Sequence, residues 1–446
     1  MKIKWLYPGM GVKRWIGLAL LGILLVTAGG ILLAGSLFTA ARELLGTFYY
    51  SVIGGYFLWI PAALVMLAGA ALAVFGSLRA FRAVVAPVMP GENSLVDIIY
   101  ANRYLERGPR VVVIGGGTGA PVLLRGLKEY TGNLTAIVTV ADDGGSSGRL
   151  RGDLGILPPG DVRNCLVALA HREPLMEELL QYRFPSGELK GHNMGNLLLA
   201  ALCDATGGFD RAVRSLSRVL AVRGQVLPVT LADVRLCAEM EDGTVVHGES
   251  RIPASGGRIK RVFLDPGACR PTGEALEAIR EADAIIMGPG SIYTSILPNL
   301  LVPGIAEAIA GSRAVKIYVC NVMTQPGETE GYTASRHLQA LFDHAGKIVD
   351  YMIVNTGTIP GRLLSRYRKE GAAPVEADLE TIRDMGVIPV AEKLVQEGEL
   401  VRHHPDKLAR LVLQLVDANR HPERVVLLNN YFARRQNQNG RDSAIL

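Results

Sequence analysis

Val111-Val112-Val113-Ile114-Gly115-Gly116-Gly117-Thr118-Gly119 is a continuous apolar, β-branched run that breaks into a glycine cluster. Such a run, bounded by glycine, predicts a strand buried on both faces, as in a parallel sheet. Pro121 then opens a helical pattern through Leu123, Leu124, Leu127 and Tyr130, so the stretch reads strand, glycine turn, helix. The next apolar run is Leu134 to Val140, and further strands are expected at Ala284 to Met287, Lys316 to Cys320 and Tyr351 to Val354, each followed by a polar or glycine-bearing loop. Strands alternating with helices predict a doubly wound α/β layer structure. Between Gln225 and Asp265 the rhythm changes. Strand-like stretches at Arg235 to Met240, Thr244 to Glu249 and Lys260 to Leu264, with an Asp242-Gly243 turn, predict an antiparallel insertion.

On the N-terminal side the composition shifts. The chain has 446 residues, 49% hydrophobic and 20% charged, more apolar than a soluble protein of this size. That much apolar surface excludes a disordered chain. The excess lies at the front: no charge occurs from Trp15 to Ala41, about 27 residues, which exceeds what a bilayer core of roughly 30 Å requires. A second uncharged run extends from Leu44 to Leu78. The two read as a transmembrane helical hairpin, residues 15–40 and 53–78, with a short turn near Arg42 to Ser51. A cleaved signal peptide fits less well, because the first run is too long and a second follows without a domain between. Lys2, Lys4, Lys13 and Arg14 precede the first span, and Arg79 and Arg82 follow the second. Basic flanks belong inside, which puts both the N-terminus and everything after about residue 80 in the cytoplasm, at the inner membrane.

A net charge of +5 with 6% aromatic residues gives no basic, aromatic-interleaved groove, so nucleic acid is excluded as a partner. The five cysteines (Cys165, Cys203, Cys237, Cys269, Cys320) show no CxxC spacing. This argues against a disulfide framework and a zinc site, and leaves buried free thiols.

The chemistry is expected in the loops that end the strands. Gly116, Gly117, Thr118 and Gly119 form a turn whose backbone N–H groups, backed by a helix N-terminus, suit a phosphate. Gly115-x-Gly117-x-x-Ala120 also satisfies a loose dinucleotide fingerprint, with Asp142 or Asp143 for a ribose hydroxyl, which keeps a nicotinamide reading open. In Asp142-Asp143-Gly144-Gly145-Ser146-Ser147-Gly148-Arg149, adjacent carboxylates at a strand end could hold Mg²⁺ beside a phosphate or accept from a sugar, with Ser146 and Arg149 as further contacts. In Pro158-Pro159-Gly160-Asp161-Val162-Arg163-Asn164, Asp161 reads as a helix cap, and Arg163 and Asn164 as groups facing an anion. His192 and Asn196, in Gly191-His192-Asn193-Met194-Gly195-Asn196, stand at another helix N-terminus. Gly288-Pro289-Gly290-Ser291 repeats the strand-and-glycine-loop arrangement, with Thr294 as a donor. Asn321, Thr324, Gln325 and Glu328 follow the next strand, and Asn355-Thr356-Gly357 the one after. Polar loops thus end five strands, and a doubly wound sheet brings them to one crevice.

The strings IGGGTG, TVADDGGSSGRLR and LGILPPGDVRNCLVALA, all within Val112 to Ala168, resemble the YvcK family of bacterial gluconeogenesis factors in the wider CofD-like superfamily. Further matches are GHNMGN at 191–196, RVLAVRGQVLPVT at 218–230, ADAIIMGPGSIYTSILPNLLVPGI at 282–305 and CNVMTQPGETEGYTASRH at 320–337. The resemblance implies a three-layer α/β/α, Rossmann-like fold and a nucleotide-diphosphate-sugar ligand of the UDP-N-acetylglucosamine type. It also implies a regulatory role linking carbon metabolism to cell-envelope synthesis and cell shape, with envelope-synthesis proteins as partners and a homo-oligomeric state. Its CofD branch implies a Mg²⁺-dependent transfer of a phospholactyl group. Carried over, Gly116 to Gly119 lie near phosphate, Asp142 and Asp143 near metal or an acceptor hydroxyl, and His192, Asn196 and Gly288 to Ser291 around the nucleotide. The GGSSGR and PPGD strings match the YvcK branch better than the transferases, so a non-catalytic UDP-sugar-binding regulator ranks first, a CofD-type 2-phospho-L-lactate transferase second and a nicotinamide enzyme third. The family's common members are soluble, whereas this chain adds an anchor. The expected layout is an anchor at 1–82, a linker at 83–108 with a short helix near Leu95 to Tyr104, the α/β domain at 109–418 and a polar tail at 419–446.

Overall fold

The computed structural model describes residues 13–45, 56–85, 105–170, 174–396, 398 and 400–420. The chain divides into two compact units, Met1–Ala101 and Asn102–Leu446. The expected linker helix at 95–104 and the tail beyond residue 420 lie outside the described residues.

In the first unit, helices span Lys13–Leu45 and Tyr56–Val85. Arg42 and Glu43 fall within the first helix and not in a turn, because Ala40, Ala41, Leu44 and Leu45 around them are good helix formers. The stretches long and apolar enough to cross a membrane are Arg14–Gly35 and Ile60–Arg82. Small residues let the two backbones touch: a Cβ on Gly22 would lie 2.6 Å from the Gly69 carbonyl oxygen, and one on Gly76 would lie 2.6 Å from Ala19 N. The helices are antiparallel, with their basic ends together: Trp15 packs edge-on to Phe75 at 6.0 Å and the Arg79 guanidinium lies 5.3 Å over the Trp15 ring. Leu20, Leu24, Ile31, Leu64 and Leu67 point outward, exposed.

The second unit is built on a seven-stranded parallel sheet. Its strands are β1 (Val111–Gly115), β2 (Leu134–Val138) and β3 (Gln225–Pro228), then β7 (Ala284–Met287), β8 (Val315–Val319), β9 (Tyr351–Asn355) and β10 (Ile388–Glu392). Three more strands, β4 (Arg235–Met240), β5 (Val245–His247) and β6 (Ile259–Asp265), form a separate antiparallel sheet. A short pair, β11 (Val395–Gln396) and β12 (Arg402–His403), follows. The order β10-β9-β8-β7-β1-β2-β3 places β1 and β7 side by side at the centre, with Val113 opposite Ala136 on one flank and Ile286 on the other. Every residue of β1, β2 and β7 is buried, which is why these strands read as unbroken apolar runs. Helices such as Gly119–Leu127, Gly160–Leu169 and Pro405–Arg420 cover the sheet.

The insertion is smaller than expected. Gln225–Pro228 leaves it and joins the main sheet, pairing in parallel with β2 through Thr135 and Gln225. At β4–β5 the Asp242-Gly243 turn forms as expected, closed by Met240 N to Thr244 O at 2.8 Å and by Asp242 Oδ1 accepting from Thr244 N at 2.9 Å. The edge strand β10 had no counterpart in the sequence reading.

Candidate functional site

The chain runs from β1 outward through β2 to β3, then returns to the centre and runs outward the other way from β7 to β10. The reversal falls between β1 and β7, at the point where open α/β sheets leave a crevice outside the carboxyl ends of their strands. The two glycine loops meet there. Gly288 N donates to Ile114 O at 2.9 Å, and a Cβ on Gly119 would fall 2.2 Å from the Pro289 carbonyl oxygen. Only glycine permits that approach.

Above the loops lies a cavity of about 510 Å³. Gly117, Thr118 and Gly119 line it from β1, Gly290 and Ser291 from β7, and Asn321 and Thr324 from β8. Gly290 N donates to Asn321 Oδ1 at 3.1 Å, and Thr324 is clamped by Ala373 N on its Oγ1 at 2.9 Å. Ser291 Oγ donates to the Glu328 carboxylate and accepts from Thr294 N at 3.1 Å. Burial raises the Glu328 pKa against the pull of those hydroxyls. Gly288 is buried beneath this surface as part of the turn.

A second group of expected residues lies on the β2 side. Gly116 is buried, and a Cβ there would lie 2.3 Å from Asp161 Oδ2. The helix Gly160–Leu169 is preceded by Pro159 in the capping position, so Asp161 is not its cap. Its carboxylate instead accepts from the Gly117 backbone. Arg163 donates to Asn196 Oδ1 at 2.9 Å and to Asn164 Oδ1 at 2.6 Å, and Asn164 donates to the Gly117 carbonyl at 3.2 Å. Arg163, Asn164 and Asn196 thus form one brace under the glycine loop. Arg163 Nε is shielded from solvent and has no acceptor. Ser146 Oγ accepts from Asn193 N at 3.2 Å and lies 3.3 Å from His192 Nδ1. Burial, then Arg149, lowers the His192 pKa, which keeps the imidazole neutral at pH 7. Arg149 is itself exposed and donates to the Lys190 carbonyl at 3.0 Å.

Asp142 and Asp143 turn to different partners. Asp142 Oδ1 accepts from Gly144 N at 2.8 Å, and Ser147 donates to the same carboxylate. Asp143 Oδ1 accepts from Ser250 N at 2.8 Å, which ties the loop after β5 to the site. That tie brings in Glu249, a cavity-lining residue. Burial, and then Asp142, Asp161, Glu328 and Asp143, push the Glu249 carboxyl up to about 8. Burial, and then Asp142, push Asp161 up to about 6. Burial also raises Asp142. Burial is the first cause in all three, with the neighbouring carboxylates adding to it, so this side of the site holds carboxyls pushed toward their protonated forms.

Sequence reasoning missed Asp161 and Glu249 as site residues. The tight Gly160-Asp161 step beside Pro159 was a usable signal for the first. Glu249 had none, since it arrives through the fold of the insertion. Arg402 and His403 of β12 also line the cavity and carried no local pattern.

A doubly wound parallel sheet with two glycine loops meeting at its switch point defines a Rossmann-like α/β protein. The family model for 2-phospho-L-lactate transferase CofD matches residues 111–395. A gluconeogenesis factor of Bacillus subtilis is 53% identical over 311 residues, covering 69% of this chain and 98% of its own. A Nostoc relative described with the same family term is 48% identical over 418 residues, covering 92% of each chain, a match longer than residues 102–446 alone. A crystal structure of a UPF0052-family protein from Bacillus halodurans superimposes with a TM-score of 0.68 at 55% identity, covering 69% of this chain and 99% of that one. The chain belongs to the gluconeogenesis factor family.

Proposed function

We propose that the cavity at the β1–β7 switch point binds a UDP-sugar of the UDP-N-acetylglucosamine type, and that the chain acts as a regulator tethered to the cytoplasmic face of a membrane. The meeting of the two glycine loops carries this reading: Thr118 and Gly119 line the cavity where the helix Gly119–Leu127 begins, and the N–H groups of that first turn are the donors offered to a diphosphate. A volume of about 510 Å³ lies within the range of small-molecule sites. The neighbouring carboxylates would repel a bare diphosphate, so the ligand enters with Mg²⁺ or another divalent cation. The basic ends of the two apolar helices, brought together at Arg14 and Arg79, support a cytoplasmic orientation.

A second reading has its own support. The match to the phospholactate transferase family model, with the adjacent carboxylates Asp142 and Asp143 beyond the end of β2, suits Mg²⁺-assisted transfer of a phosphorus-containing group. Calorimetric titration of the full-length protein in detergent with UDP-N-acetylglucosamine, with and without Mg²⁺, separates them. The regulator reading expects Mg²⁺-strengthened binding and recovery of the ligand unchanged, with NADH inert. Silence toward the UDP-sugar, together with Mg²⁺-dependent binding of GDP, would hand the site to the transferase.

A further inference from the structure

The antiparallel sheet β5-β4-β6 carries a second constellation, away from the glycine loops. Cys237 on β4 stands opposite His247 on β5 and Phe263 on β6, while Arg235 stands opposite Asp265. Side chains two apart on a strand share a face, so Cys237, His247 and Asp265 emerge on the same side of this sheet, one from each strand. Their ligand atoms (Cys237 Sγ, a His247 ring nitrogen and an Asp265 carboxylate oxygen) all lie within 4.8 Å of one another. The Cys237 sulfur is 3.2 Å from His247 Nδ1. Cys237 is buried while His247 and Asp265 are exposed, so the group opens to solvent on one side. No salt bridge among the described residues engages Asp265.

We propose that Cys237, His247 and Asp265 form a binding site for a zinc-class divalent ion. A thiolate, an imidazole and a carboxylate together select a borderline-soft transition metal over Mg²⁺ or Ca²⁺. Three protein ligands with no fourth leave one tetrahedral position for water. Each ligand comes from a different strand, so a bound ion cross-links all three strands of the sheet. His247 also stands two residues before Glu249, in the segment held by Gly248 N to Leu236 O at 2.8 Å and Ser250 N to Asp143 Oδ1 at 2.8 Å. The ion would therefore fix the strand that delivers Glu249 to the cavity.

Cobalt reports the site directly, because a cysteine thiolate bound to Co²⁺ gives a near-ultraviolet charge-transfer band. Full-length protein in detergent, stripped with chelator, is titrated with Co²⁺ and then Zn²⁺. The expected result is a thiolate band that saturates at one Co²⁺ per chain and is bleached by Zn²⁺. Cys237→Ser removes the band. His247→Ala, at an exposed side chain whose loss leaves the sheet intact, weakens Co²⁺ binding by about 100-fold, and Asp265→Asn by about tenfold. Co²⁺ binding without the thiolate band, an adventitious ion only, overturns the proposal. So does a band that survives Cys237→Ser, or an affinity unchanged by His247→Ala.

Discussion

At Gly119 a single methyl group is enough to test the site. Its Cβ would meet the Pro289 carbonyl oxygen at 2.2 Å and Gly290 N at 2.9 Å, both backbone atoms that cannot swing aside. Gly119→Ala must therefore part the two glycine loops, with an overpacking cost of about 1–3 kcal/mol, and should weaken UDP-sugar binding by at least about tenfold. Gly152, in the helix Gly145–Leu154 with nothing within 4 Å of its Cβ position, is the control. Gly152→Ala should leave binding unchanged and match or exceed wild-type stability. Equal titrations for both variants would show that the loop contact does not shape the ligand site. His403 makes a second test, of stability. It is buried, donates to the Cys320 backbone carbonyl, has no partner on Nε2, and burial pulls its pKa down to about 4. Between about pH 6.5 and 4 the unfolded chain takes up a proton that the folded state refuses, so stability falls as pH drops through that window, by up to about 3 kcal/mol. Urea unfolding at pH 7 and pH 4.5 should show a smaller pH loss in His403→Leu than in wild type. Parallel losses would remove His403 from the account.

At the level of elements, what the sequence disclosed follows from what each element must bury. β1 and β7 are covered on both faces and run straight into glycine loops, so composition alone marks them. β3 is four residues ending in Pro228, and β10 is an edge strand only partly buried, so neither leaves a continuous apolar run or a clean alternation. The glycine loops were legible because backbone chemistry is local. Asp161 and Glu249 were not, because a carboxyl becomes a site group only when the fold carries it beside others. The Cys237, His247 and Asp265 group is the same case: residues ten and more apart acquire a shared face only through strand register. The apolar hairpin was legible in its length and hidden in its packing. Gly22 lies against Gly69 and Ala73, while Gly30 has nothing within 4 Å. Gly22→Leu should therefore separate the helices and Gly30→Leu should not. Cysteines placed at Trp15 and Phe75, whose rings are 6.0 Å apart, report it: oxidation should cross-link them in the Gly30→Leu background and fail in Gly22→Leu. Efficient cross-linking in both would mean the small-residue contact does not hold the pair.

At the scale of the whole molecule, the two units differ in the surface they present. The apolar helices expose Leu, Ile and Val on their outer surface, which water penalises and a bilayer does not. The α/β unit buries its own core, from Val111 in β1 to Val416 in the last helix. The Bacillus subtilis relative is matched over 98% of its length by 69% of this chain, so a protein of the α/β unit's size serves as a complete family member. The site residues, from Gly116 to His403, all lie in that unit. Deleting residues 1–101 should then yield a fragment that unfolds cooperatively and binds the UDP-sugar with the affinity of the full chain, yet leaves the membrane fraction for the soluble one. A reporter fused after residue 85 should be active in the cytoplasm and silent outside, since the basic residues Lys13, Arg14, Arg79 and Arg82 all stand at the same end of the antiparallel helix pair. The two readouts fail independently. A fragment that stays with the membrane would show that the hairpin is not the anchor, whereas a soluble fragment that no longer binds would show that the first unit contributes to the site.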